Sequence, residues 1–137
     1  MTQKTITLRN VNTSDFRFLF NLLKERDPKN NISHKKMPTF TEHIKFVKSE
    51  PYSKWYIIEL GKSKVGSIYL SKNDEIGIFI KKQFQDGNIG QESLKKFMEM
   101  NPRKRYLANI SPKNIRSQKF FKKNDFKLIQ YTFELEK

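Results

Sequence analysis

Residues 75–90 read EIGIFIKKQFQDGNIG, an apolar run followed by a turn that contains two glycines. The apolar run predicts a β-strand, and Leu94, Phe97 and Met98 predict a helix directly after the turn. A turn that leaves a strand and enters a helix points several unpaired backbone N–H groups in one direction, at the positive end of the helix dipole. The stretch therefore predicts a strand–turn–helix unit that can bind an anion.

The residues of this turn allow close approach to its backbone. Gly87 and Gly90 lack a Cβ, and Asn88 tolerates left-handed geometry. The turn is not a Walker loop, because no Gly-Lys-Ser/Thr follows, and it is not Gly-x-Gly-x-x-Gly. By itself it does not specify a ligand, since simple tight turns have the same composition.

The remaining sequence predicts one α/β domain over residues 1–137. In chain order the predicted elements are strand 5–9, a helix capped by Ser14 or Thr13, a helix with a Thr39/Glu42 capping box, strands 54–60, 64–70 and 75–80, the helix after residue 90, strand 106–110, a helix capped by Asn114, and a final strand with Ile129, Tyr131, Phe133 and Leu135 alternating. This order makes the middle β-α-β unit parallel and the hairpins antiparallel. We therefore expect a mixed sheet with helices on both faces.

The composition excludes several kinds of site. The 137 residues include no cysteine, which excludes a disulfide scaffold, a thiol nucleophile and a Cys-based metal site. Only two histidines are present, so a His-rich metal site is excluded as well. The sequence shows no apolar signal core and no run near the roughly 20 apolar residues of a membrane span, which predicts a cytoplasmic protein without a membrane partner.

The charge balance is strongly basic, with 28 Lys and Arg against 14 Asp and Glu and a formal net charge of +14. Such a surface attracts nucleic acid, anionic membranes or polyphosphate cofactors, and compositional bias explains it equally well. A nucleic-acid-binding module is the alternative class, and it would interleave basic residues with exposed aromatics. Here the aromatics follow core periodicity and the lysines are spread evenly, which argues against a nucleic-acid partner.

A second motif, NIRSQKFFKKNDF at residues 114–126, makes the interpretation specific. Together with residues 75–90 it resembles the GNAT acetyltransferase superfamily, whose motifs read Gln/Arg-x-x-Gly-x-Gly/Ala and Asn-x-x-Ser-x-x-x-Tyr-Glu-Lys-x-Gly-Phe. The element order matches too, so the resemblance covers nearly the whole chain. It implies a GNAT fold, with a mixed central sheet of about six to seven strands and about four helices, and an acetyl-CoA-dependent N-acetyltransferase without a metal.

Three positions depart from the family pattern. Asn88 occupies the central glycine position of the first motif. Phe121 occupies the position that is often a tyrosine general acid, and it cannot donate a proton. Asp125 replaces the glycine before Phe126, and we expect it to be a left-handed position that aspartate can also adopt.

The resemblance also implies which residues bind the cofactor. The backbone of Ile78, Phe79 and Ile80 should pair with the pantetheine arm as though it were an extra strand. Asn114 should reach the pantetheine or phosphate region, with Ser117 nearby. The pyrophosphate should be held by the amides of Gln85, Asp86, Gly87, Asn88, Ile89, Gly90 and Gln91, and the 3′-phosphate by Arg116, Lys119 or Lys123.

In this family the amine attacks the thioester directly, so no covalent nucleophile is needed. Glu75, at the start of its strand, is the candidate base, although a solvent-exposed strand-end glutamate reads the same way. With Phe121 unable to serve, the acid is Ser117, Tyr131 or solvent. Alternatively no acid is used, because positioning already supplies much of the rate.

The acceptor is less constrained. The second helix usually walls the acceptor site in this family, which makes Glu42 and His43 candidate substrate contacts, although His43 also reads as a partly buried residue. Residues 32–46 and 55–59 most resemble the RimJ/RimL branch, whose members act on protein N-termini or on nucleotide-linked 4-amino sugars. The basic surface favours a small-molecule amine, specifically an amino-sugar nucleotide. The alternatives are a protein N-terminal or lysine acetyltransferase and a non-catalytic CoA binder, and a homodimer is compatible with either.

Overall fold

The computed structural model of this protein describes residues 5–26, 36–85 and 87–137. Its sheet has four strands that pair antiparallel in chain order, namely β1 (Ile6–Asn10), β2 (Lys54–Leu60), β3 (Ser63–Leu70) and β4 (Ile76–Ile80). The helices are α1 (Phe16–Glu25), α2 (Phe40–Lys48), α3 (Ile89–Met100) and α4 (Ile115–Lys123). Short 3-10 turns at Thr13–Asp15 and Lys82–Phe84 precede α1 and follow β4.

The sheet is covered on both faces, as its sequence pattern predicts. Alternate strand residues such as Ile58 and Ile68 pack with Leu94 and Phe97 of α3, and all four side chains are fully buried. On the opposite face, Ile57 packs with Leu19 of α1 and Val47 of α2. Successive side chains of a strand point to opposite faces, which is why neighbouring residues of β2 belong to two different cores.

The two N-terminal helices begin differently from one another. The predicted Thr39/Glu42 capping box of α2 is confirmed, with the Glu42 N–H donating to Thr39 Oγ1 at 3.1 Å and the Thr39 N–H donating to Glu42 Oε1 at 2.8 Å. The predicted Ser14 or Thr13 cap of α1 is wrong, because Asn12 and Asp15 form a capping box around the 3-10 turn instead.

The sheet has fewer strands than the six to seven that we expected. Residues 106–110 were predicted as a strand, but only Leu107 pairs with β4, through one parallel bridge to Glu75. The predicted C-terminal strand does not form either, since Tyr131 and Phe133 are 77% and 92% exposed. Alternation gives a segment two different faces, but a strand forms only where a neighbouring edge supplies its hydrogen bonds.

The end of α4 follows the expectation for Asp125, which has a left-handed φ of 70°. The Phe126 N–H donates to the Phe121 oxygen at 3.0 Å, and the Asp125 N–H donates to the Lys122 oxygen at 3.1 Å. This pair of bonds is a Schellman motif, and the Phe121 and Phe126 rings pack 5.0 Å apart as its hydrophobic contact. None of the helices in the described ranges is long and apolar enough to cross a membrane.

Candidate active site

The outer side of β4 is an open edge of the sheet. Its partner on that side is Leu107, whose N–H donates to the Asp74 oxygen and whose oxygen accepts from the Ile76 N–H at 2.7 Å. Within residues 5–26, 36–85 and 87–137, no strand pairs with the outer side of β4 beyond this bridge. The backbone from Ile78 to Ile80 is therefore an open sheet edge to which an extended ligand can add as a strand. We call the space along this edge the cleft beside β4.

The turn after β4 leads into α3 and presents the first backbone amides of that helix. The Glu92 N–H donates to the Asn88 oxygen at 3.0 Å and begins the helical ladder, so the amides of Ile89, Gly90 and Gln91 lie ahead of it. Asn88 has a φ of −85° and does not use the left-handed geometry that we allowed for it. Asp86, the remaining predicted residue of this turn, lies outside the described residues.

The two glycines of the turn have different surroundings. A Cβ added at Gly87 would meet no atom within 4 Å, so this position leaves the mouth of the turn open. A Cβ added at Gly90 would lie 3.2 Å from the Phe120 ring and 3.9 Å from Ile80. Gly90 therefore allows α3 to pack against α4 and β4, while Gly87 faces open space.

Asn114 begins α4, as predicted. Its Oδ1 accepts from the Ser117 N–H at 3.1 Å and so caps the helix. Ser117 itself is half-buried in the first turn of α4. Because the oxygen is engaged in this cap, the amide nitrogen of Asn114 is the part of the side chain that can donate to a ligand.

Glu75 lies where β4 meets the 106–110 segment. Its Oε1 accepts from Ser71 Oγ at 2.9 Å, and its Oε2 accepts from the Asn109 amide nitrogen. The side chain is half-buried and held by both neighbours, unlike a solvent-exposed strand-end glutamate. No pattern in the sequence singles out Asn109, because its proximity to Glu75 depends on how the chain folds back over 34 residues.

Two tyrosines cover the same face of β4 as Glu75. The Tyr69 ring stacks on the Tyr52 ring at 3.7 Å between centroids and 6° between planes. Tyr69 also lies directly over Gly77, where an added Cβ would collide with the Tyr69 ring and its hydroxyl oxygen. The missing side chain at Gly77 is therefore what lets Tyr69 reach across β4. Neither tyrosine was singled out from the sequence, because their stacking depends on how β3 and the segment before β2 come together.

Arg26 lies at the other end of this face. Its guanidinium carbon is 4.4 Å from the centroid of Phe79, and the Phe79 ring lies 6.4 Å from that of Tyr69. Glu75, Gly77 and Phe79 share one face of β4 because strand residues alternate. The arrangement is an aromatic floor, formed by Tyr69 and Phe79, with a carboxylate at one end and a guanidinium at the other.

Burial keeps the hydroxyls of Tyr52 and Tyr69 protonated. It raises the pKa of Tyr52, and it raises the pKa of Tyr69 although Tyr52 and Arg26 partly oppose that rise. Both hydroxyls are therefore protonated at neutral pH and act as hydrogen-bond donors. Burial also lowers the pKa of Arg26, but arginine stays charged in proteins.

The two predicted substrate residues of α2, Glu42 and His43, contact residues of α1 and the start of α2 and not Glu75. His43 is 5% exposed, its ring is 5.6 Å from that of Phe20 in α1, and burial lowers its pKa. Its Nε2 has no hydrogen-bond partner within the described part of the chain. Glu42 is an exposed capping residue whose pKa is lowered by its hydrogen bond to the Thr39 backbone.

Phe121, at the position where the family often has a tyrosine, and the candidate acid Tyr131 both lie outside this site. Phe121 is buried in the packing of α4, and Tyr131 belongs to the exposed C-terminal segment. Among the residues that the structure describes, no three His, Asp or Glu side chains group so as to hold a metal ion.

Comparison with known proteins gives one family over most of the chain. Residues 5–127 match the model of the acetyltransferase (GNAT) domain. No curated protein sequence gives a significant match.

Solved structures share the fold at low sequence identity. A domain from Methanocaldococcus jannaschii is 27% identical, with a TM-score of 0.82 over 96% of this chain and 94% of that one. The ribosomal alpha-N-protein acetyltransferase RimL in complex with coenzyme A is 20% identical, with a TM-score of 0.74 over 92% and 82% of the two chains. The aminoglycoside N-acetyltransferase AAC(6')-Iy in complex with CoA is 15% identical, with a TM-score of 0.73 over 99% and 97%.

Proposed function

This chain belongs to the GNAT acetyltransferase family and is an acetyl-CoA-dependent N-acetyltransferase, and we propose that its acceptor is a small amine that carries an anionic group, such as a nucleotide-linked amino sugar. The observation that carries the proposal is the aromatic floor with Glu75 at one end and Arg26 at the other. Opposite charges at two ends of one surface fit a ligand with an amine at one end and an anion at the other.

The spacing of the two charges supports this choice. Glu75 and Phe79 are four residues apart on one strand, which separates the ends of the floor by about 13 Å. An amine placed beside Glu75 leaves this distance for the rest of the acceptor and for a phosphate beside Arg26. Guanidinium groups bind phosphate with strong charge-assisted hydrogen bonds. The net charge of +14 also attracts an anionic acceptor from solution.

The cofactor is assigned to the cleft beside β4. When bound, acetyl-CoA supplies the acetyl group as a thioester. We assign its pantetheine arm to the backbone of Ile78, Phe79 and Ile80 and its pyrophosphate to the amides of the turn from Gly87 to Gln91. The open position at Gly87 and the amides at the N-terminus of α3 fit an anion there. The Asn114 amide nitrogen lies at the start of α4, the helix that follows α3 in the chain, and we assign it to the same cofactor.

Glu75 is assigned the role of general base. The bonds from Ser71 and Asn109 hold its carboxylate at the start of β4, and we assign that face of the strand to the acceptor. From there it removes a proton from the acceptor amine, directly or through one water. Ser117, in the first turn of α4, is assigned as a hydroxyl that contacts the cofactor.

An amine panel assayed by thioester release tests the acceptor class. We expect a nucleotide-linked 4-amino sugar to give a higher kcat/KM than its methyl glycoside, an N-terminal peptide or a lysine peptide. Arg26→Met keeps the apolar stem and removes the charge, so it should raise KM about tenfold for the nucleotide-linked amine alone. A peptide as the best acceptor, or equal KM changes for the charged and uncharged amines, would contradict the proposal.

Substitution of Gly87 tests the cofactor assignment. We expect Gly87→Val to weaken acetyl-CoA binding about tenfold, as measured by calorimetry, because a side chain at the mouth of the turn costs about one charge-assisted hydrogen bond. Its Tm without ligand should stay close to wild type, since the added atoms meet open space.

The matched substitutions are Gly87→Ala, with a smaller expected loss of affinity, and Gly90→Val, which should lower the Tm through contact with Phe120. Unchanged acetyl-CoA affinity in a folded Gly87→Val protein would remove the turn from the site.

A further inference from the structure

The chain has five tyrosines, and three of them are committed elsewhere. The Tyr56 hydroxyl is 3.3 Å from Asn101 Oδ1 in the core under α3. The Tyr106 hydroxyl donates to the Asn101 oxygen at 2.7 Å. Tyr131 is 77% exposed in the C-terminal segment. Tyr52 and Tyr69 remain, and both lie on the face of β4 that carries Glu75.

Tyr69 is held over β4 from three sides. Gly77 leaves the space beneath its ring and hydroxyl, Tyr52 stacks on the ring at 3.7 Å, and Phe79 lies beside it. A stacked ring with a glycine beneath it has little freedom to rotate away. The hydroxyl therefore has a fixed position above the strand that borders the cofactor cleft.

We propose that Tyr69 is a catalytic residue that donates a hydrogen bond to the carbonyl oxygen of the acetyl thioester, and that Tyr52 is the positioning residue behind it. The proposal rests on the assignment of the pantetheine arm to β4 and does not depend on which amine is the acceptor. It supplies a hydroxyl donor in a chain that has Phe121 at the position where a tyrosine is usual.

The protonation of Tyr69 decides what kind of donor it is. Burial and the nearby charge of Glu75 raise its pKa, and the opposing effects of Tyr52 and Arg26 do not cancel that rise. A thiol has a pKa of about 8.5, so the phenol is the weaker acid and keeps its proton. Tyr69 therefore stabilises developing negative charge by a fixed hydrogen bond, as oxyanion-hole donors do.

Transfer of the acetyl group needs no acid on the protein. The carbon–nitrogen bond forms as the amine attacks, the carbon–sulfur bond breaks, and its electron pair goes to sulfur. The proton lost by nitrogen passes to Glu75 or water, and sulfur takes up a proton from solvent. Tyr69 gains and loses no proton during the cycle.

Phenylalanine substitutions test the proposal with a built-in control. We expect Tyr69→Phe to lower kcat about 100-fold, the effect of losing one oxyanion donor, with the Kd of acetyl-CoA within twofold of wild type. Tyr52→Phe keeps the stacked ring and should lower kcat by less than tenfold. Tyr56→Phe removes a hydroxyl from the opposite face, so it should lower the Tm and leave kcat unchanged.

Infrared spectroscopy of bound acetyl-CoA, labelled with ¹³C at the carbonyl, gives a readout that needs no acceptor. We expect the carbonyl stretch to lie below its solution frequency in wild type and to move back toward it in Tyr69→Phe. The proposal is overturned by an unchanged stretch and kcat in Tyr69→Phe, or by an effect confined to the acceptor KM. Loss of acetyl-CoA affinity in Tyr69→Phe would also overturn it, since the residue would then be a structural part of the cleft.

Discussion

Replacing Asp15 with alanine is expected to lower the free energy of unfolding by about 3 kcal/mol, because it removes the buried partner of two cations. The Asp15 side chain is 0% exposed, with Arg9 at 2.9 Å and Lys64 at 2.7 Å from Oδ1. Its Oδ2 also accepts from the Asn12 N–H at 2.8 Å, so the same carboxylate caps the turn before α1. Urea denaturation of the two proteins measures the difference.

A matched substitution separates this pair from ordinary surface charge. Glu59 also approaches Arg9, at 3.5 Å, but its side chain is 22% exposed and the contact is longer. Glu59→Ala should therefore cost less than about 1 kcal/mol. Equal losses in the two variants would show that burial of Asp15 contributes nothing beyond a surface ion pair.

The same carboxylate gives the fold an acid-sensitive contribution. Burial by itself would raise the pKa of Asp15, but hydrogen bonds from Arg9 and Lys64 outweigh it and lower the pKa from 3.8 to about 2. A carboxylate with a depressed folded pKa stabilises the protein fully above its unfolded pKa and loses that contribution as the pH falls through the folded pKa. Wild type should therefore lose about 2 kcal/mol between pH 4 and pH 2 that Asp15→Asn does not lose.

Glu75→Gln is expected to lower kcat about 1,000-fold, because it removes the assigned base while keeping the shape of the side chain. The amide oxygen can still accept from Ser71, so the start of β4 should stay in place. Acetyl-CoA should bind with unchanged affinity, since the cofactor is assigned to backbone groups farther along the strand. Steady-state kinetics with a saturating amine, together with calorimetry, make the two measurements.

The residues that hold Glu75 provide the comparison. Ser71→Ala and Asn109→Ala each remove one hydrogen bond to the carboxylate and leave the base itself, so each should lower kcat far less than Glu75→Gln. If Glu75→Gln keeps wild-type kcat, the carboxylate serves only to join β4 to the 106–110 segment.

Local patterns predicted most of the elements correctly. The Thr39/Glu42 box, the Asn114 cap and the left-handed Asp125 are all features of a few consecutive residues, and all three are confirmed. The four helices and the four paired strands follow from periodicity in the same way. The strand–turn–helix unit of β4 and α3 was also predicted from sequence, because a strand, small residues and a helix start stand in direct succession.

Patterns failed where a segment depended on distant neighbours. The alternating residues after Lys127 read as a strand, yet in the structure they pair with no edge and are exposed. The α1 cap was misassigned for a local reason instead, since Asn12 and Asp15, three residues apart, form the capping box of the turn before the helix.

The sequence alone therefore identified the family and its cofactor through the resemblance of its two motifs. It also determined the order of the four paired strands and the four helices, which depends on short-range spacing and turn chemistry. Only the tertiary structure decided what surrounds the reacting groups. It placed Asn109 on Glu75, stacked Tyr52 on Tyr69 over Gly77, and set Arg26 above Phe79. Those contacts join residues 8 to 53 positions apart, and such pairs are fixed by how the sheet and helices pack, which no local pattern encodes.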